Sequence, residues 1–371
     1  MNSKIREKAL LVQSPSLPDR EVLNGYIDEI YKSRWLTNNG HLVQELEKKL
    51  TGYLDVPYLV LTANGTSALQ LALKLFNIDK EVITTPFTFA ATGQAIEWVG
   101  AKPVFADIDK RSLCLCPKQV SNKISPHTQA ILPVNVYGRT AHNTELEELA
   151  RRHNLKLIYD GAQSFGPPSL HQKTALTSGD ATALSFHATK IFNTVEGGAL
   201  ILKSEEDYLK AQSLINFGYQ DGKPGHVGTN AKMNEIEAAF GLANLEHINK
   251  EIVYRKLLTE AYKDQLADFS NSNLLKLTKS PNYAYFPLQF IDEQMLLKVD
   301  QALKVQNVFG RRYFYPLQPG SVADDLPVAS RVARNSYCLP LHCNMTKDDV
   351  TMICDTIRTA VLPAHAYRAQ C

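Results

Sequence analysis

The sequence predicts an α/β protein: a large domain on a mostly parallel sheet, followed by a smaller α+β C-terminal domain. Strand-like and helix-like patterns alternate from Tyr58 to Asp160, the way parallel strands with crossover helices are encoded. The strand-like run Lys156–Asp160 ends on a carboxylate, and sites in such sheets lie at the strands' carboxyl ends. At 371 residues the chain is long enough for one large core and a second, smaller one.

Taken in order, a short leader containing prolines precedes a helix over Arg20–Ser33. The polar, turn-rich segment Trp35–Gly40 leads into an amphipathic helix, His41–Leu54. Then come strand Tyr58–Ala63, helix Thr66–Phe76, strand Glu81–Thr85, helix Thr88–Val99 and strand Pro103–Asp107. The alternation continues with strand Gln129–Val136, helix Thr144–His153 and strand Lys156–Asp160. Apolar runs at Ala181–Phe186 and Ala199–Leu202 flank a polar loop, and Glu205–Asn216 reads as a helix. An alanine-rich helix over Met233–Lys250 is expected to run on towards Tyr262. A composition shift at Ser270–Pro281 marks the hand-over to the smaller domain, with strand Tyr283–Phe290 and helices Glu293–Val305 and Thr346–Leu362. The expected organisation is a leader (1–20), a large domain (21–250) and a small one (251–371), with Pro363–Cys371 a loose tail.

Forty basic against 38 acidic residues give a net charge of +2, too balanced for a nucleic-acid or membrane-surface protein. Met1–Leu11 is charged throughout and is no signal peptide, and no apolar run approaches a membrane span, so a cytoplasmic location is expected. The six cysteines are scattered without secretory features, which suits reduced thiols. Cys114 and Cys116 lack a second pair, the ten histidines lack metal spacing, and no metal is expected. No P-loop or dinucleotide fingerprint is present.

The chemistry concentrates in Ser185–Leu200, SFHATKIFNTVEGGAL, where Lys190 sits between an apolar run and a Glu-Gly-Gly turn. By itself a loop lysine is ordinarily a solvated charge. Asp160 changes the weighing, because a lysine and a strand-ending acid are what pyridoxal 5'-phosphate (PLP) requires: one carries the cofactor, the other pairs with its ring nitrogen. Asn64–Gly65–Thr66 opens a helix after a strand, a natural phosphate site, though alone it reads as an ordinary N-cap. With Asp160, Ser185 and Lys190 the cofactor reading prevails.

From about Ser16 to Arg358 the chain resembles the fold-type I, PLP-dependent nucleotide-sugar aminotransferases of the DegT/StrS type. The matching pieces are WLTNNG (Trp35–Gly40), NGTSAL (Asn64–Leu69), PFTFAAT (Pro86–Thr92), KPVFADID (Lys102–Asp109), YDGAQSFG (Tyr159–Gly166), SFHATK (Ser185–Lys190) and GTNAKMNEIEAAFG (Gly228–Gly241). The resemblance implies that Lys190 and Asp160 are catalytic and that Gln163 meets the ring hydroxyl. It also implies that Phe89 stacks on the ring, and that Gly65, Thr66 and Ser185 bind the phosphate. Asn230 matches a residue donated by a neighbouring subunit, which implies a homodimer with shared active sites. His187, Tyr313 and Tyr315 are implied to face the substrate, and Arg311 and Arg312 make a basic cluster beside the tyrosines.

The implied reaction takes an amino group from L-glutamate to a nucleotide-linked keto-deoxysugar. The wording is most similar to enzymes that make dTDP-4-amino-4,6-dideoxyglucose from dTDP-4-keto-6-deoxyglucose. Gly161, Lys232 and Arg139–Asn143 depart from the family's usual wording without removing a catalytic group. A sugar 3-aminotransferase or another fold-type I PLP enzyme is the alternative. The dehydratase branch replaces the lysine with histidine, and Lys190 argues against it. A non-catalytic regulatory module needs a DNA-binding domain ahead of it, for which a leader of about twenty residues is too short.

Overall fold

A computed structural model describes residues 7–140, 142–170, 176–220, 222–270 and 274–362. The expected loose tail, Pro363–Cys371, lies outside the described residues.

The strands Tyr58–Thr62, Glu81–Thr84, Lys102–Phe105, Thr128–Leu132, Lys156–Asp160, Ala181–Ser185 and Gly198–Leu202 form one sheet. Across the sheet their order begins with Tyr58–Thr62, Gly198–Leu202, Ala181–Ser185 and Lys156–Asp160. It continues through Thr128–Leu132 and Glu81–Thr84 to Lys102–Phe105. Six strands run one way, and Gly198–Leu202 is antiparallel to both its neighbours. Val60, Leu61, Ile83, Ile131 and Ile158 are buried, as strands covered by helices on both faces require. Helices Gly65–Leu75 and Ala90–Trp98 supply Leu69, Ala72, Ala95 and Ile96 to one covering layer. Helix Asn143–His153 supplies Leu146 and Ala150 to the opposite one.

The strand Ala181–Ser185 returns directly as Gly198–Leu202, so the intervening loop hangs from one edge of the sheet. Helix His41–Leu54 starts after Gly40, which offers no side chain to cap it. The fully buried Glu235 caps it instead, accepting from the N–H groups of Leu42 and Val43, each at 3.0 Å.

The helix expected over Met233–Lys250 is two helices, Glu235–Leu245 and Ile248–Gln265. Asn234 and Glu237 start the first with a capping box. The break at Glu246–His247 lets the first pack on His41–Leu54 while the second reaches the C-terminal region. The expected boundary after residue 250 falls inside Ile248–Gln265. Its Ile248 and Ile252 pack with the large core, and its Leu258 and Tyr262 with a separate C-terminal core.

That second core lies under an antiparallel sheet of Leu275–Leu277, Phe286–Phe290 and Ser336–Leu339, with helices Glu293–Val305 and Lys347–Val361 against it. The strand expected from Tyr283 begins at Phe286, because Tyr283 adopts φ +57°, outside extended geometry. The leader joins this region: Leu10–Leu11 pairs in parallel with Val308–Phe309. No helix among the described residues is long and apolar enough to cross a membrane.

Candidate active site

Tyr58–Thr62, Lys156–Asp160 and Ala181–Ser185 point the same way, so their carboxyl ends share one edge of the sheet. The topology thereby gathers the start of helix Gly65–Leu75, the carboxylate of Asp160 and the loop carrying Lys190.

Asp160 is 5 % exposed. Its Oδ2 accepts from the Thr92 hydroxyl at 2.7 Å and its Oδ1 from the Ala162 N–H at 3.1 Å. Burial pushes its carboxyl above the ordinary value, while Thr92, Ala162 and the charge of Lys190 oppose that.

Lys190 is held by the packing of its neighbours. Phe186, Ile191 and Phe192 are buried, and Phe192 stacks on Phe165 with ring centres 4.6 Å apart. Phe186 closes the loop's base, accepting from the Thr194 N–H at 2.9 Å and donating to the Gly197 carbonyl at 2.8 Å. Burial pushes the Lys190 amine below its ordinary value, and Asp160 pulls the other way. Lys190 lines a small cavity with Ala162, Gln163 and Tyr285. His187 Nδ1 accepts from the Thr189 N–H at 3.2 Å, which leaves the proton of the neutral ring on Nε2, 3.6 Å from Glu196 Oε1.

Asn64 caps helix Gly65–Leu75, accepting from the Ser67 N–H at 2.8 Å. Two glycines make the turn compact. A Cβ at Gly65 would stand 2.8 Å from Ser185 Cβ, and one at Gly198 would stand 2.6 Å from the Asn64 backbone. Gly65, Thr66 and Ser185 are thus adjacent, with N–H groups and hydroxyls at a helix N-terminus.

Phe89 stands at the start of helix Ala90–Trp98 and is 59 % exposed. Gln163 is buried and its Oε1 accepts from the Tyr137 N–H. The Tyr137 hydroxyl donates to the Tyr313 carbonyl, and the rings of Tyr313 and Tyr285 meet edge to face at 5.6 Å. Tyr315 lies under the Arg312 guanidinium, 3.6 Å from its ring centre. Arg312 also donates to Glu293 at 2.6 Å and to the Arg334 carbonyl at 2.8 Å, so its charge is committed within the chain. Asn230 lies apart in its bonding: it is exposed and its backbone bridges Asn216.

Sequence reasoning missed Thr92 and Asn282. Thr92 sits inside PFTFAAT in the first turn of helix Ala90–Trp98, and its hydroxyl meets that of Thr88, just ahead of the helix, at 2.7 Å. Asn282, fully buried, donates to the carbonyls of Gln163 and Phe165 across more than a hundred residues, and no local pattern announces such a contact.

These residues fit PLP. A buried acid beside a half-buried amine, a helix N-terminus with tight glycines and an uncovered aromatic ring match its ring nitrogen, aldehyde, phosphate and flat face. Among the described residues no group of three or more His, Cys, Asp or Glu is placed to hold a metal ion.

The model of the DegT/DnrJ/EryC1/StrS aminotransferase family matches residues 19–358. The chain is 39% identical over 366 residues to a dTDP-4-amino-4,6-dideoxy-D-glucose transaminase of Shigella dysenteriae, covering 95% of this chain and 99% of the relative. An Escherichia coli protein of the same name is 36% identical over 364 residues, covering 94% and 98%. The crystal structure of DesI in the presence of its TDP-sugar product superposes with a TM-score of 0.91 at 33% identity, covering 99% of this chain and 97% of that one.

Proposed function

Because the chain belongs to the DegT/DnrJ/EryC1/StrS aminotransferase family, we propose that it moves an amino group from L-glutamate to C4 of dTDP-4-keto-6-deoxyglucose, giving dTDP-4-amino-4,6-dideoxyglucose. The enzyme is a PLP-dependent nucleotide-sugar aminotransferase. The observation that carries the finer reading is end-to-end similarity to two relatives of that name, together with an acid, an amine and a phosphate turn at one sheet edge.

When bound, PLP supplies an aldehyde that exchanges amines and a ring that accepts the electron pair of a broken C–H bond. Gly65, Thr66 and Ser185 would bind its phosphate, and Phe89 would lie against its ring. With Oε1 of Gln163 engaged by Tyr137, the side-chain NH2 is the group left to donate to the ring oxygen. Asp160 keeps the ring nitrogen protonated. Lys190 carries the cofactor. As a free amine, its Nζ would serve as the base and then the acid for the proton that amino transfer moves. Burial lowers its basicity, which favours the neutral, proton-accepting amine, and Asp160 opposes this. His187, Tyr313 and Tyr315 contact the sugar nucleotide.

The enzyme acts as a homodimer in which Asn230 reaches the partner's phosphate. Exposed apolar side chains support a partner surface: Trp35, Val195, Phe217, Tyr219 and, at 91 %, Val227 stand uncovered.

The test is to incubate the purified enzyme with glutamate and keto-sugars linked to dTDP, UDP or GDP, and to identify products by nuclear magnetic resonance. The expected product carries its amine at C4 of the dTDP sugar. Amination at C3, or no reaction with the 4-keto sugar, overturns the substrate and leaves the broader class.

A further inference from the structure

A carboxylate buried as deeply as Asp160 leans towards protonation, and a protonated acid no longer holds a proton on the ring nitrogen. What opposes this is a chain of buried bonds. Thr92, 0 % exposed, meets Asp160 Oδ2 at 2.7 Å and the Thr88 hydroxyl at 2.7 Å. A hydroxyl has one proton to give. With Thr92 donating to the ionised acid, the bond between the threonines is donated by Thr88.

Thr88 is fixed in turn. Its carbonyl accepts from Gln318 Nε2 at 3.0 Å, and the Gln318 N–H donates to the Pro86 carbonyl at 3.2 Å. Gly93 leaves the space this glutamine occupies, since a Cβ there would stand 2.8 Å from its Oε1. The chain thus runs from a C-terminal segment through two hydroxyls to the acid. Lys190 is the charged neighbour that faces Asp160 from the opposite loop.

We propose that Thr92, set by Thr88 and Gln318, is a positioning residue: its hydroxyl keeps Asp160 ionised and fixes the rotation of the carboxylate against the cofactor ring. This rests on the assignment of Asp160 to the ring nitrogen.

The test uses the holoenzyme with Thr92→Val, Thr92→Ser, Thr88→Val and Asp160→Asn. Losing a hydrogen bond to a charged acceptor is expected to lower kcat of Thr92→Val roughly tenfold while KM for the keto-sugar changes little. The acid-side midpoint in the visible absorbance of bound PLP should move to higher pH. Thr92→Ser restores both readouts, and Thr88→Val shifts the midpoint in the same direction by less. A Thr92→Val enzyme with the wild-type rate and the wild-type absorbance curve overturns the proposal, provided that Asp160→Asn is slow. Wild-type turnover in Asp160→Asn overturns the assignment of the acid instead. Should Thr92→Val not fold, Thr88→Val decides: a shifted midpoint supports the proposal and an unchanged one overturns it.

Discussion

Asn282 donates from its side chain to the backbone carbonyl of Gln163 at 2.8 Å, joining the C-terminal region to the loop that follows Asp160. The same amide reaches the Phe165 carbonyl at 3.0 Å. Asn282→Ala leaves two carbonyls without these donors in a buried site. The expected loss of stability is about 1–3 kcal/mol, read by denaturant unfolding, with a fall in kcat as Gln163 loosens. Unchanged stability would mean that water replaces the amide.

Lys190→Ala removes the amine proposed to carry the cofactor and to move the proton. The variant should fold, lose the visible absorbance of the bound cofactor, and turn over at least a thousandfold more slowly than wild type, roughly the loss of a covalent carrier and its proton transfer together. Its neighbours Phe186, Ile191 and Phe192 form the packing of the loop, which is why the variant is expected to fold. Circular dichroism and absorbance separate the two effects. Comparable turnover would move catalysis to another amine.

In the cofactor-free protein, burial disfavours the ammonium form of Lys190, and its amine should titrate below the ordinary lysine value of about 10.4. The sign follows: charging this group costs stability as pH falls through the interval between that value and its own midpoint. Asp160 supports the charge, so Asp160→Asn should move the midpoint further down. Carbon-13 resonance of labelled lysine measures both midpoints. A midpoint at the ordinary value would mean that water reaches the amine freely.

Hybrid enzymes test the contribution of Asn230 across subunits. Lys190→Ala and Asn230→Ala chains, each nearly inactive alone, should regain activity on mixing, because half of the hybrid's sites join an intact Lys190 to an intact Asn230. No recovery in a mixture that demonstrably exchanges subunits, or an active monomer, would place Asn230 in its own chain's site.

The strands, the helix at Gly65 and the loop around Lys190 were legible because their signals are local: apolar runs, a cap and a pair of glycines. Asp160 was legible as the last residue of a buried strand. Less could be read where contact partners lie far apart in the chain. Glu235 caps a helix that begins at His41, and Asn282 bonds to Gln163, yet nothing near 235 or 282 specifies the partner. Arg312 reads as a free cation in the sequence, whereas Glu293 and the Tyr315 ring already occupy it. The break between the helices at Glu246–His247 was hidden because helical propensity continues through it, and tertiary packing decides the bend.

The strand Tyr58–Thr62 lies at the sheet's edge and pairs with Gly198–Leu202, while Gly198 also packs against the Asn64 backbone. On the ribosome, the first strand of this sheet to emerge therefore waits for the last. A nascent chain stopped before Gly198 already carries Asp160, Ser185 and Lys190, but the turn at Asn64–Gly65 lacks the Gly198 backbone that packs against it. The edge strand and the helix that follows it thus take their final places only after residue 202 has emerged, so the turn between them closes late in synthesis.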